Sequence, residues 1–109
     1  MSVRELHDKA MAFAETAMLE KRKGNDGYAQ QLYHQAYTCE ASAAQLLSPV
    51  GASEPTRGIL YRSASWLAFN AGDYHMAQHL AATGLSGQPV PDIRVELQQA
   101  LEAAIDRLT

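Results

Sequence analysis

The chain has 109 residues, a length suited to one domain, and 47% of them are hydrophobic, enough for a packed core. Nine Lys and Arg against twelve Asp and Glu give a net charge of -3, which leaves no basic face for a phosphate backbone, so nucleic acid is not an expected partner. Cys39 is the single cysteine, which excludes an intrachain disulfide and a cysteine metal cluster, and no apolar run nears the ~20 residues that cross a bilayer.

The opening MSVRELHDKA is polar and lacks the apolar stretch of a secretory leader, so a cytoplasmic location with no membrane partner is expected. Apolar residues recur at three- and four-residue steps and no segment alternates like a strand, which predicts helices throughout. The first covers about residues 2–23, with Val3, Leu6, Ala10, Phe13, Ala14, Ala17 and Met18 on one stripe. Lys21, Arg22 and Lys23 complement its dipole, and Gly24 stops it. Asn25 or Asp26 caps a second helix to about residue 47, striped by Ala29, Leu32, Tyr33, Ala36, Ala43, Ala44 and Leu47. Glu40 interrupts that stripe and reads as a surface residue where the helix leaves the core.

Residues 48–52 form a linker, and Ser53 is the expected cap of a third helix running to about residue 70 with Glu54 and Pro55 in its first turn. Ile59, Leu60, Tyr61, Ala64, Trp66, Leu67, Ala68 and Phe69 cover nearly its whole circumference, so it should be central and buried. Gly72 ends it and Asp73 caps the fourth helix, which completes a hairpin over residues 54–86. Residues 86–89 break the chain, and Pro91 opens a closing helix over 91–108. Its one-sided stripe of Ile93, Leu97, Ala100, Leu101, Ala104, Ile105 and Leu108 suits a helix that seals a core.

Tyr61, Ala64, Ser65, Ala68, Ala77, Ala81 and Pro89 occupy the places of the tetratricopeptide pattern without a gap, and Gly72-Asp73-Tyr74 falls at its turn. The segment 61–89 thus resembles a tetratricopeptide repeat, with Ser65 in place of glycine, Ala81 in place of phenylalanine and Gly84 in place of alanine. The bulk lost at Ala81 is expected from Trp66 or Phe69, or from a closer helix approach. Ala29, Tyr33 and Ala36 repeat the pattern more weakly, 48 residues from Ala77 to Ala29 rather than the ~34 of a regular array. The resemblance implies an all-α domain over residues 1–109: hairpin 2–47, linker 48–52, hairpin 54–86 and a closing helix. It also implies a groove lined by the first helix of each hairpin, which places Ile59, Arg62, Trp66, Phe69 and Asn70 on a partner-binding face. Arg62 is the charged residue of that otherwise apolar helix, and its guanidinium beside Trp66 suits a partner's carboxylate.

Other constellations lead less far. His75 and His79 share a helix face without a third ligand, so no metal is expected. Ser63 and Ser65 lack a nucleophile setting, no acidic pair sits in an apolar stripe, and no phosphate loop is present. Tyr28, Tyr33 and Tyr37 have no basic residues between them and read as packing. The expectation is a protein- or peptide-binding adaptor with no enzymatic activity and no cofactor. Its alternative is a small structural protein that meets only copies of itself, as a homodimer.

Overall fold

Five α-helices and no strand make up residues 1–109 in a computed structural model: α1 (Val3–Arg22), α2 (Asp26–Gln45), α3 (Thr56–Asn70), α4 (Tyr74–Leu85) and α5 (Pro91–Leu108). Local chemistry sets most of their ends. Ser2 Oγ accepts from Glu5 N at 3.1 Å and Glu5 returns the bond, a complete capping box for α1. Gly24 and Gly72 close α1 and α3 at φ 86° and 79°, the left-handed conformation that glycine adopts without a Cβ penalty. Asp73 Oδ1 accepts from Met76 N at 3.1 Å and caps α4.

Two expected caps fail. Asn25 stands at the start of α2, but its amide donates to Glu20 at 2.6 Å instead of capping the helix. Ser53 does not cap α3, which begins at Thr56; Glu54 Oε1 takes the Gly58 N–H at 2.9 Å. The connection is longer than 48–52, because α2 ends at Gln45 and α3 starts ten residues further on than Leu46.

Each helix packs on the next, and α5 also reaches back to α3. Val3, Arg4 and His7 line one hollow with Thr56, Ile59 and Leu60, whereas Lys21 shares another with Asn70, so α1 and α3 run parallel. Arg62 meets Glu96 and Phe69 meets Arg107, so α3 and α5 are parallel too. α2 and α4 return behind them. The overall extents of 43 × 36 × 19 Å match a slab two helices thick, each helix being ~10 Å across.

The contact between layers is built from small side chains. Ala10, Ala17, Ala36, Ala43, Ala44, Ala64, Ala68, Ala77, Ala81 and Ala104 are all 0% exposed. Ser65 is buried at the α3–α4 crossing, where its hydroxyl donates to the Ala77 carbonyl at 2.7 Å. Trp66 is exposed and does not fill this crossing, whereas the fully buried Leu97 of α5 lies over Gly84.

Arg57 ties the two chain breaks together. It is 4% exposed, donates to the Thr83 carbonyl at 3.2 Å at the end of α4, lies 4.8 Å over the Tyr61 ring and pairs with Glu54. A Cβ on Gly87 would stand 2.3 Å from its Nη1, so glycine there leaves room for the guanidinium.

Glu40 corrects the sequence reading most sharply. It is 0% exposed, and Ala41, Ala43 and Ala44 beyond it are buried, so α2 does not leave the core. α3 is central, packed by α2, α4 and α5, but it is not buried all round: Trp66 and Asn70 are exposed.

Gly84 gives this packing a sign test. Propensity alone says that alanine in a helix gains ~1 kcal/mol over glycine. A Cβ on Gly84 would lie 2.8 Å from Leu97 Cδ2 and 2.9 Å from Tyr61 Cβ. Gly84→Ala should therefore lose about 1–3 kcal/mol in urea unfolding. Gly27→Ala in α2, where nothing lies within 4 Å, should be neutral or stabilising. Equal gains for both variants would refute the close α3–α4–α5 contact.

Candidate functional site

Ile59, Arg62, Trp66, Phe69 and Asn70 recur at helical steps and share one side of α3. The structure brings three of them into contact with α5 or with one another. Arg62 Nη1 pairs with Glu96 Oε2 of α5, both side chains partly exposed. Trp66 meets Phe69 edge to face at 5.4 Å between centroids, and Phe69 meets Tyr74 at 5.1 Å. Arg107, in the last turn of α5, closes the row 4.5 Å above the Tyr74 ring.

The other two residues lie at opposite ends of this ridge. Ile59 lines an open groove of about 390 Å³ with Val3, Arg4, His7, Thr56 and Leu60. Asn70 borders a polar hollow of about 290 Å³ with Lys21, Asp26, Tyr33 and Tyr74. A larger hollow of about 610 Å³ follows α2, walled by Gln30, Gln31, His34 and Gln35, and reaches Ala71 at the end of α3.

Two expectations change. Arg62 is not a free guanidinium waiting for a partner, because it already holds a carboxylate of its own chain. It is also not the lone charge of α3, since Arg57 lies one turn earlier and deeper. Trp66, in contrast, is 38% exposed although it is the largest apolar side chain of the molecule. The outer face of α4 carries His75 and His79, both exposed, and no three His, Cys, Asp or Glu side chains are placed to share a metal ion.

Sequence reasoning passed over His7. Its Nδ1 lies 2.8 Å from Glu40 Oε1, across the α1–α2 interface. Glu40 Oε2 is buried and has no partner, so His7 alone compensates this carboxylate. The only signal in the sequence was the polar interruption of the α2 stripe; nothing there pointed to a residue 33 positions earlier. Of the tyrosines, Tyr28 is exposed while Tyr33 and Tyr37 are buried. The Tyr37 hydroxyl donates to Asp73 Oδ2 at 2.9 Å and so joins α2 to the cap of α4.

No protein-family model, no curated protein and no solved structure matches this chain.

The His7–Glu40 pair should respond asymmetrically to mutation. His7→Ala strands a buried carboxylate and should cost about 3–5 kcal/mol, whereas Glu40→Met removes the charge at similar volume and should be near neutral. Thermal melts of the two variants decide it, and the reverse order would make the pair a net anchor rather than a tolerated charge.

Burial, then the hydrogen bond from Tyr37 to Asp73 and the Asp73 charge, push the Tyr37 hydroxyl up to about 12. A folded value above the unfolded ~10 means that this stability is complete below pH ~10 and is lost as pH rises through the folded value. Tyr37→Phe should lose about 1–2 kcal/mol at pH 8. Its stability should then fall less than the parent's between pH 10 and pH 12. A parallel decline in both proteins would remove Tyr37 as the source.

Proposed function

We propose that this chain is a non-catalytic module that docks a protein or peptide partner, built as a short tetratricopeptide-like domain, with the α3 face around Trp66 as its docking surface. The exposure of Trp66 carries this reading. A monomer would hide a tryptophan for its burial energy alone, yet this one, the only one in the chain, stands 38% exposed on the central helix. Trp and Arg dominate binding hot spots, and here Trp66 sits in a row with Phe69, Tyr74 and Arg107 that holds its orientation.

Two features favour the repeat architecture. α1, α3 and α5 run parallel in one layer, the arrangement that stacked hairpins produce. Ala64, Ser65, Ala68, Ala77, Ala81 and Gly84, the places matched to the repeat pattern, are all buried. The partner surface on that architecture is the layer of first helices, where Trp66 lies.

The test combines solution mass with affinity capture. Trp66→Ala should weaken the partner by more than ~2 kcal/mol, and because most of the side chain is covered it should also lower the melting temperature, so the comparison is made well below both melts. Arg62→Ala should weaken it less and blunt its salt dependence, since Glu96 already screens the guanidinium. If light scattering finds a dimer that Trp66→Ala dissociates, the partner is a second copy and the structural alternative replaces the adaptor. A monomer whose captured partner survives Trp66→Ala would remove this face.

A further inference from the structure

α2 is the one helix that packs extensively on α1, which buries Ala10, Ala14 and Ala17. The opposite side of α1 is open, and Met18 and Leu19 stand 49% and 52% exposed on it. With Glu15 and Arg22 they line a shallow hollow of about 260 Å³ that no residue of another helix enters.

Glu15 and Arg22 are two helical turns apart, ~10 Å along the axis, so they share a face but cannot reach each other. Met18 and Leu19 fall midway between them, one to either side of the line that joins them. The neighbouring charges are taken up inside the chain. Arg4 lies 3.7 Å from Asp8, and Lys23 lies 3.4 Å from Glu20, which also accepts from the Asn25 amide. Lys21 borders the hollow shared with Asn70 and Tyr74. Glu15 and Arg22 belong to none of the ion pairs of the molecule.

A face with a carboxylate at one end, a guanidinium at the other and two apolar side chains between them is complementary to itself after half a turn. A two-fold axis passing between Met18 and Leu19 sets each Glu15 against the Arg22 of the other copy, at both ends of the contact. Met18 and Leu19 of the two copies then meet at the axis and leave water together. The charges also select the arrangement. A parallel pair sets Glu15 against Glu15 and Arg22 against Arg22. Moving the axis one turn toward either residue sets that residue against its own copy, a like-charge contact that disfavours the shifted register.

We propose that the outer face of α1 is a homodimer contact, on which the α1 of a second copy of this chain packs antiparallel about an axis between Met18 and Leu19. The contact spans two turns of one helix from each copy. It is small beside the ~1,600 Å² of a standard interface, so the dimer is weak and forms as concentration rises. Trp66 of α3 takes no part, so this contact goes beyond the docking face proposed above and is independent of it.

Sedimentation of the full chain from about 10 µM to about 1 mM should show the mass rise from the 11.9 kDa of one chain toward twice that value. Glu15→Arg and Arg22→Glu should each raise the dissociation constant roughly tenfold or more, because either change turns two attractions into two repulsions. Both positions are exposed, so each variant should melt like a single chain of the parent. Mixing the two variants in equal amounts should recover the parent's association, since one copy then carries two guanidinium groups and the other two carboxylates. The variant with both changes should dimerise by itself, and Trp66→Ala should dimerise like the parent. The proposal is overturned if the parent stays monomeric throughout, if its dimer survives either charge reversal, if the mixture stays monomeric, or if Trp66→Ala dissociates the dimer. A dimer with the expected charge pattern that captures no foreign partner would remove the docking function while leaving this contact in place.

Discussion

The close approach of helices across alanine and glycine faces is the constraint on which the rest of this structure depends. A buried alanine removes little apolar area from water, roughly one methyl group's worth, so an interface made of alanines gains less from burial than one made of leucines. It gains instead from backbone proximity, and that proximity puts polar groups of one helix within reach of the next. Four polar ties cross between elements: His7 to Glu40 between α1 and α2, Tyr37 to Asp73 from α2 to the α4 cap, and two between α3 and α4, Ser65 to the Ala77 carbonyl and Arg57 to the Thr83 carbonyl. Leu97 is the one large aliphatic side chain that is wholly buried, and it sits where Gly84 leaves space.

The same economy shapes the surface. The inward side of α3 takes its small residues together with Leu60, Tyr61 and Leu67, which leaves Trp66 and Phe69 on the remaining side. Trp66 and Phe69 therefore end on the layer shared by α1, α3 and α5, where they are ordered by Tyr74 and Arg107 rather than sunk in a core. Arg62 and Glu96 neutralise each other on this face, which leaves Arg4 and His7 at one end of it and Lys21 near Asn70 at the other.

Much of the fold was legible because its determinants are local. Gly24, Gly72, Asp73 and Pro91 act within one turn of themselves, so their positions in the sequence already place helix ends, whereas the Ser2–Glu5 capping box went unread. The periodic stripes of α1 and α5 likewise need no knowledge of the neighbour to show which side faces inward. The start of α3 was misplaced because Glu54, not Ser53, holds the first free N–H, and nothing in the order of those residues ranks one oxygen above the other. Glu40 was misread for a different reason. A carboxylate in an apolar stripe is buried only if a cation or donor arrives from elsewhere, and His7 arrives from another helix.

The sequence by itself determined five helices, their turns, the inward side of each terminal helix, and which residues are small enough for helices to touch. It also placed Ile59, Arg62, Trp66, Phe69 and Asn70 on one side of α3, because helical spacing is a property of the chain alone. Tertiary structure decided what those side chains meet. Arg62 found Glu96, Trp66 stayed partly in water, Ile59 and Asn70 parted into separate hollows, and a histidine near the start of α1 came to stand over a buried glutamate. Those outcomes depend on distances between helices, and residues far apart in sequence carry no local pattern from which such distances can be read.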